Sequence, residues 1–227
     1  MKKTAAVLII LAVLLFMTNG IAQVQLGLQA GANFGNFNLD PEPDGFEIST
    51  RTGFLFGGVL FYSFSPILGL QVEPAYVQKG GAVDQSFIEE GSTIKIEQTL
   101  TADYIDIPVL LKASFGNGPV KPYLLAGATA AFLMGDAKLE VDKVTLDGED
   151  VTSQIPSEDM EEIIEIKSSD FILNFGGGVI IPLGLVNVFI EGQYNLGLSD
   201  VNDDPDDNTE IKTTGIQIKA GVMFPLN

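Results

Sequence analysis

Over residues 24–34, every even position is apolar: Val24, Leu26, Leu28, Ala30, Ala32 and Phe34. Every odd position is Gln, Gly or Asn. A period of two over this length specifies a β-strand with one apolar face and one polar or small face, and it admits no helix. The same period returns at 51–64, 70–79, 104–115, 170–182, 186–196 and 212–224, and a Gly/Ala-rich segment at 122–132 makes an eighth. In 104–115, for example, Ile105, Ile107, Val109, Leu111, Ala113 and Phe115 share a face, opposite Asp106, Lys112 and Ser114.

The connections alternate in length. Those around 65–68, 116–119 and 183–184 are short, whereas 35–50, 80–98, 135–167 and 198–210 are long. Of the 30 acidic residues, only Glu73, Asp103, Asp106, Asp170 and Glu191 fall outside the four long connections. The predicted outer face therefore carries almost no acid, the reverse of a water-soluble barrel. This pattern predicts an all-β fold: an eight-stranded antiparallel up-and-down transmembrane β-barrel with short periplasmic turns and long acidic extracellular loops. Each strand of about 10 residues suits a tilted crossing of the bilayer.

The start of the chain agrees with that location. Lys2 and Lys3 precede an apolar run, Ala5 to Met17, which is too short to span a bilayer as a helix. Gly20 and Ala22 supply small residues before a cleavage point. Residues 1–22 are thus expected to be a signal peptide and 23–227 the barrel domain, in the outer membrane. The chain has no Cys and no His, which removes thiol and imidazole catalysis and Cys- or His-ligated metal. A net charge of −18 argues against nucleic acid as a partner. Gly176–Gly178 lacks the Lys and the helix start of a phosphate loop.

An eight-stranded barrel is just wide enough to be filled by its own side chains, so a diffusion pore is not expected. The inward ionisable residues are expected to be Arg51, Glu73, Asp106, Lys112, Glu191 and Lys219. They are read as mutually compensating charges, because an unpaired buried charge costs several kcal/mol. No catalytic residue and no cofactor is assigned. In the last long connection, Asp203, Asp204, Asp206, Asp207 and Glu210 have the oxygen ligands calcium prefers, without the glycine-centred spacing of an EF-hand. A solvated acidic tip is the simpler reading.

Three phrases carry a family resemblance: Val72-Glu73-Pro74-Ala75-Tyr76-Val77-Gln78-Lys79-Gly80, Tyr104-Ile105-Asp106-Ile107-Pro108-Val109-Leu110-Leu111-Lys112, and Pro122-Tyr123-Leu124-Leu125-Ala126-Gly127. Together they resemble the outer-membrane β-barrel domain family of Bacteroidota often labelled PorT-like. The resemblance implies an integral barrel whose partners are outer-membrane lipid and the barrel-insertion machinery. The leading expectation is a non-enzymatic structural or surface-interaction protein acting through its acidic loops, with a surface or periplasmic protein partner still to be found. The alternatives are an accessory component of a protein secretion or assembly machinery and a soluble exported ligand-binding barrel. An outer-membrane hydrolase is disfavoured by the missing His.

Overall fold

The computed structural model describes residues 23–41, 46–89, 91–156, 160–164, 166–203 and 209–226. The signal-peptide expectation falls outside them. The strands are β1 (Gln23–Asp40), β2 (Phe46–Ser63), β3 (Leu68–Val72), β4 (Ala75–Glu89), β5 (Ser92–Ser114), β6 (Lys121–Leu133), β7 (Ala137–Leu146), β8 (Glu149–Asp150), β9 (Glu161–Ile164), β10 (Ser169–Pro182), β11 (Asn187–Gly197) and β12 (Glu210–Leu226). They form one 12-stranded antiparallel sheet that closes on itself. β1 pairs with both β2 and β12, so the first and last strands meet. β2 continues through β3 and β4 to β5, and β5 through β6, β10 and β11 back to β12.

The expected count of eight is corrected in two places. Residues 70–79 do not make one strand: at Glu73-Pro74 the ladder breaks into β3 and β4. Pro74 has no N–H to give, and its carbonyl accepts from Gly58 N at 2.9 Å. Residues 80–98 and 135–167 are not plain loops. The first is the upper half of the β4–β5 hairpin, paired without interruption from Ala75↔Asp106 to Glu89↔Ser92. The second holds β7, β8 and β9, which extend the sheet beside β5. The period-two signal is present there, in Val83, Phe87, Ile94, Ile96, Leu139 and Leu146, but acidic residues mask it.

Leu26, Leu28, Phe54, Phe56, Ile107, Leu111, Phe175, Ile190, Ile216 and Ile218 are all exposed on the outer face. Gln25, Gln29, Asn33, Asn174, Asn195 and Gln217 are buried on the inner one. The polarity reverses along β5. Its outward side chains are Ala113, Leu111, Val109, Ile107 and Ile105, with Phe115 just past its end, and then Asp103, Thr101, Thr99, Glu97, Lys95 and Thr93. Its inward side chains run from Lys112, Leu110, Pro108, Asp106 and buried Tyr104 to Ala102, Leu100, Gln98, Ile96 and Ile94, mixed at first and mostly apolar beyond Tyr104. Strand direction and the pairing with β4 do not change at Asp103, although the partner on the other side passes from β6 to β7, so the change of outward residues marks a change of the medium outside the wall. Apolar solvent surrounds 105–115, and water surrounds 93–103.

The interior is not uniformly polar, which corrects the expectation of polar inside and apolar outside. At the short-turn end, Val59, Phe61, Leu110, Tyr123, Leu125, Ile180, Phe189 and Met223 pack as a buried apolar layer. Inward glycines seat its rings. A Cβ at Gly221 would stand 2.6 Å from Phe189 Cε1. At the other end, Ala102, Tyr104, Ala131, Ala137 and Ile172 form a second cluster, against which Ile164 and Ile166 pack. Burial of those isoleucines orders part of 135–167.

The last long connection is tied down as well. Asp200 Oδ1 accepts from Asn202 N and Ile211 N, each at 3.0 Å. Lys167 Nζ reaches Asp200 Oδ2 at 3.2 Å, and Lys167 N donates to Val201 O at 2.9 Å. The Ile211 N–H, followed by those of Asn202 and Lys167, holds the Asp200 carboxyl below the usual carboxylate range. A lowered folded-state pKa stabilises above the unfolded-state value and ceases to as pH falls through the folded one. Asp200→Ala is therefore expected to speed protease nicking within residues 198–210 about fivefold at neutral pH. The difference between the two proteins should shrink on acidification. Equal nicking rates at neutral pH would show that Asp200 anchors nothing.

Candidate functional site

Above the apolar layer lies a polar one that crosses the lumen. Glu73 projects inward from the β3–β4 break, and Gln71 from β3. Facing them are Glu191 and Gln193 on β11 and Lys219 on β12, with Lys112 on β5 and Tyr123 on β6 closing the layer. Alternation places each of these on the inner face, and all seven are buried. Glu191 and Lys219 are direct cross-strand partners, with Nζ 3.3 Å from Oε1. Lys219 also pairs with Glu73.

Every carboxylate oxygen of the layer accepts a hydrogen bond. Glu73 Oε1 accepts from Gln71, and Oε2 from Lys219 and, at 3.2 Å, from Gln193. Glu191 Oε1 accepts from Gln193 at 2.8 Å. Glu191 Oε2 accepts from Tyr123 Oη at 2.7 Å and from Gln71 at 3.2 Å. Lys112 takes a different role. Its Nζ donates to Gln71 Oε1 at 2.7 Å and stands 3.6 Å from the Tyr123 ring centroid, with Phe61 at 5.3 Å. The ammonium thus caps the apolar layer through ring faces. Two carboxylates and two ammoniums leave the layer neutral, and they join β3 to β11 and β12 across the interior.

Gly178 makes room for this arrangement. A Cβ there would lie 2.5 Å from Tyr123 Oη and 2.7 Å from Cζ. Gly178→Val is expected to push Tyr123 away from Glu191 and to destabilise the protein by about 1–3 kcal/mol. Combining it with Tyr123→Leu should recover part of the loss. Urea titration of both variants would test this, and an unchanged midpoint for Gly178→Val alone would refute it.

A second charged group lies nearer the long-loop end. Lys79 Nζ is 2.9 Å from Asp106 Oδ1 and 4.4 Å from the Tyr104 ring centroid. Thr213 Oγ1 donates to Asp170 at 2.5 Å nearby. Of the six inward ionisable residues named from sequence, the structure brings Glu73, Lys112, Glu191 and Lys219 together and places Asp106 in the second group. Arg51 joins neither. It is half-buried, and its guanidinium donates to Lys79 O at 3.5 Å. Lys79, Asp170, Gln71, Gln193 and Tyr123 were not singled out from sequence, although the inward parity of their strands marks all of them.

Only two of the five calcium candidates, Asp203 and Glu210, lie among the described residues. Asp204, Asp206 and Asp207 lie outside the described residues. Asp203 is exposed, and Glu210 pairs with Lys212 at 2.6 Å. No group of three or more His, Cys, Asp or Glu among the described residues is placed to hold a metal. Among the described residues, hollows flank the filled interior. One of about 140 Å³ lies at the short-turn end beside Gln25, Phe61 and Asn187. One of about 300 Å³ lies at the long-loop end beside Asn36, Phe37, Leu39 and Ile48.

A family profile described as outer membrane protein beta-barrel domain matches residues 18–203. The chain belongs to that family. It is an outer-membrane protein, and the apolar band around residues 105–113 of β5 is its lipid-facing wall. No curated protein matches the chain. Among solved structures it is similar to Neisserial surface protein A, at 16% identity and TM-score 0.46, covering 88% of this chain and 96% of that one. It is similar also to OprG of Pseudomonas aeruginosa, at 13% identity and TM-score 0.46 over 91% and 96%. Ail of Yersinia pestis shares 16% identity at TM-score 0.41 over 89% and 99%. In the outer-membrane barrel described here, the ion-paired layer is a cross-lumen tie placed where the wall is surrounded by lipid.

Proposed function

We propose that this outer-membrane protein is a non-enzymatic surface-interaction barrel. Its wall counts eight positions, with β3 and β4 sharing one and β7–β9 standing above the membrane. Residues 1–22 direct export, the short turns face the periplasm, and the long acidic connections face the outside. The polarity reversal along β5 supports this reading most directly. A protein that needed only to occupy the membrane could end its strands near Asp103, whereas β4, β5 and β7 carry ordered sheet well beyond it. Glu73 and Glu191 are engaged in the cross-lumen tie, Asp106 with Lys79 and Asp170 with Thr213, and the chain has no His or Cys, which together support a non-enzymatic role.

Cell fractionation with unheated and boiled gel samples tests the barrel. The expected result is an outer-membrane band whose mobility shifts on boiling, and a soluble periplasmic protein without a shift would refute it. Crosslinking from exposed positions of the β4–β5 hairpin then tests the surface role, with a specific protein or glycan adduct as the expected result. The Glu73–Gly80 and Ile107–Lys112 phrases favour a second reading, a PorT-like accessory of a secretion machinery. That reading expects export of other proteins to fall when the chain is deleted.

A further inference from the structure

The inner face of the barrel continues above the membrane as an apolar surface edged by acid. The β4–β5 register is unbroken, so the face that carries Asp106 and Tyr104 also carries Ile96 and Ile94. Three residues stand directly opposite one another across three strands: Phe87↔Ile94 and Ile94↔Leu146. The next residue in that row is an acid, Leu146↔Glu149 on β8. Glu89 shares the Phe87 face two positions along β4. Phe87 is 43% exposed and Leu146 41%. On the same face Gln85 and Gln98 follow, and then Val83 with its partner Ile48, which lines the 300 Å³ hollow with Phe37 and Leu39.

The two charged residues that edge the row, Glu89 and Glu149, are both acidic. Four of the lysines above the membrane are engaged: Lys95 with Glu97, Lys138 with Glu161, Lys167 with Asp200 and Lys212 with Glu210. The fifth, Lys143, stands opposite Glu97 in the β5–β7 ladder, on the outward face. Glu89 and Glu149 are exposed and join no ion pair among the described residues. From Phe87 to Glu149 the row crosses four strands, about 14 Å at strand spacing. An occupant must span that length, offer apolar groups in its middle and bear positive charge at its ends.

We infer that the extracellular mouth docks a short basic peptide with apolar side chains, laid along the Phe87–Ile94–Leu146 row with its cationic groups on Glu89 and Glu149. The inference rests on the surface-interaction reading above and names the class of partner.

The test uses the full-length protein in detergent micelles and a fluorescein-labelled peptide of alternating Lys and Leu, with empty micelles subtracted. A Lys/Ser peptide of equal charge and a Glu/Leu peptide serve as comparisons. Saturable binding of the Lys/Leu peptide is expected, at least tenfold tighter than either comparison. The double variant Phe87→Ser/Leu146→Ser should weaken it about tenfold. Glu89→Gln/Glu149→Gln should weaken it about threefold in low salt and flatten its salt dependence. Both variants are checked for the boiling-dependent mobility shift, and the glutamine pair leaves the apolar row untouched should the serine pair fail to fold. Equal binding of the Lys/Ser peptide would overturn the proposal in favour of unspecific attraction to an acidic surface. So would unaltered affinity in both variants, or binding no greater than to empty micelles. An intact barrel that binds nothing defeats this proposal alone, whereas loss of the mobility shift in the unmodified protein defeats the barrel reading beneath it.

Discussion

Glu73→Ala is expected to destabilise the barrel by about 3–5 kcal/mol, the cost of breaking a buried ion pair by removing one partner. Lys219 would keep only Glu191, at 3.3 Å. The amides of Gln71 and Gln193 would each lose an acceptor. The layer would hold two ammoniums against one carboxylate, with Lys112 already dependent on Gln71 and the Tyr123 ring. The loss should appear as a lower urea midpoint in lipid vesicles, read from the fraction that keeps its unheated gel mobility. Removing the partner too, as Glu73→Met/Lys219→Met, should restore most of the stability, since a buried pair and an apolar pair of similar volume often differ little. If Glu73→Ala is neutral, the cross-lumen tie contributes no stability. If the double variant is as unstable as the single one, the pair is not the unit that matters.

Leu28→Arg is expected to cost about 2–4 kcal/mol in a bilayer, the usual penalty for a lipid-facing cation near the midplane of a barrel. Leu28 is 67% exposed on the outer face, opposite Gly58 and Val222 on the neighbouring strands. In a water-soluble barrel the same substitution would cost almost nothing. Ile88→Arg is the matched control. Ile88 is 77% exposed on the outward face of the β4–β5 hairpin, beyond the polarity reversal, and its substitution should leave the urea midpoint within about 0.5 kcal/mol of the parent. Equal effects at the two positions would contradict a membrane boundary near Asp103.

The sequence carried the lipid-facing wall almost completely, because alternation is a local property. Each strand needs only its own residues to declare which side is apolar, and Leu26, Leu28, Ile107, Leu111, Ile216 and Ile218 all declare it. The upper sheet was legible in principle. Val83, Phe87, Ile94 and Ile96 keep the same period, but their outward neighbours include Asp84, Lys95 and Glu97, and the segment reads as loop. The strand break at Glu73-Pro74 was equally available, since a proline inside a strand pattern marks a gap in the ladder. The apolar layer was harder to see. Phe61, Tyr123, Phe189 and Met223 sit at inward positions among glycines, and they look like exceptions until those glycines prove to be their seats.

Alternation by itself determined which face each strand turns to lipid and which to the interior. The clustering of acid by itself marked the segments that lie beyond the apolar band. Only closure of the sheet decided which inward charges meet. Glu191 and Lys219 are neighbours on paired strands, and matched height on adjacent strands anticipates them. Glu73 lies 146 residues from Lys219 in the chain and reaches it across the lumen, while Lys112, on the strand beside Glu73, turns to Gln71 and the rings. Pairing along a sheet follows from local pattern and turn length. Contact across a barrel depends on its diameter and on the stagger of its strands, which belong to the closed ring as a whole and to no single segment.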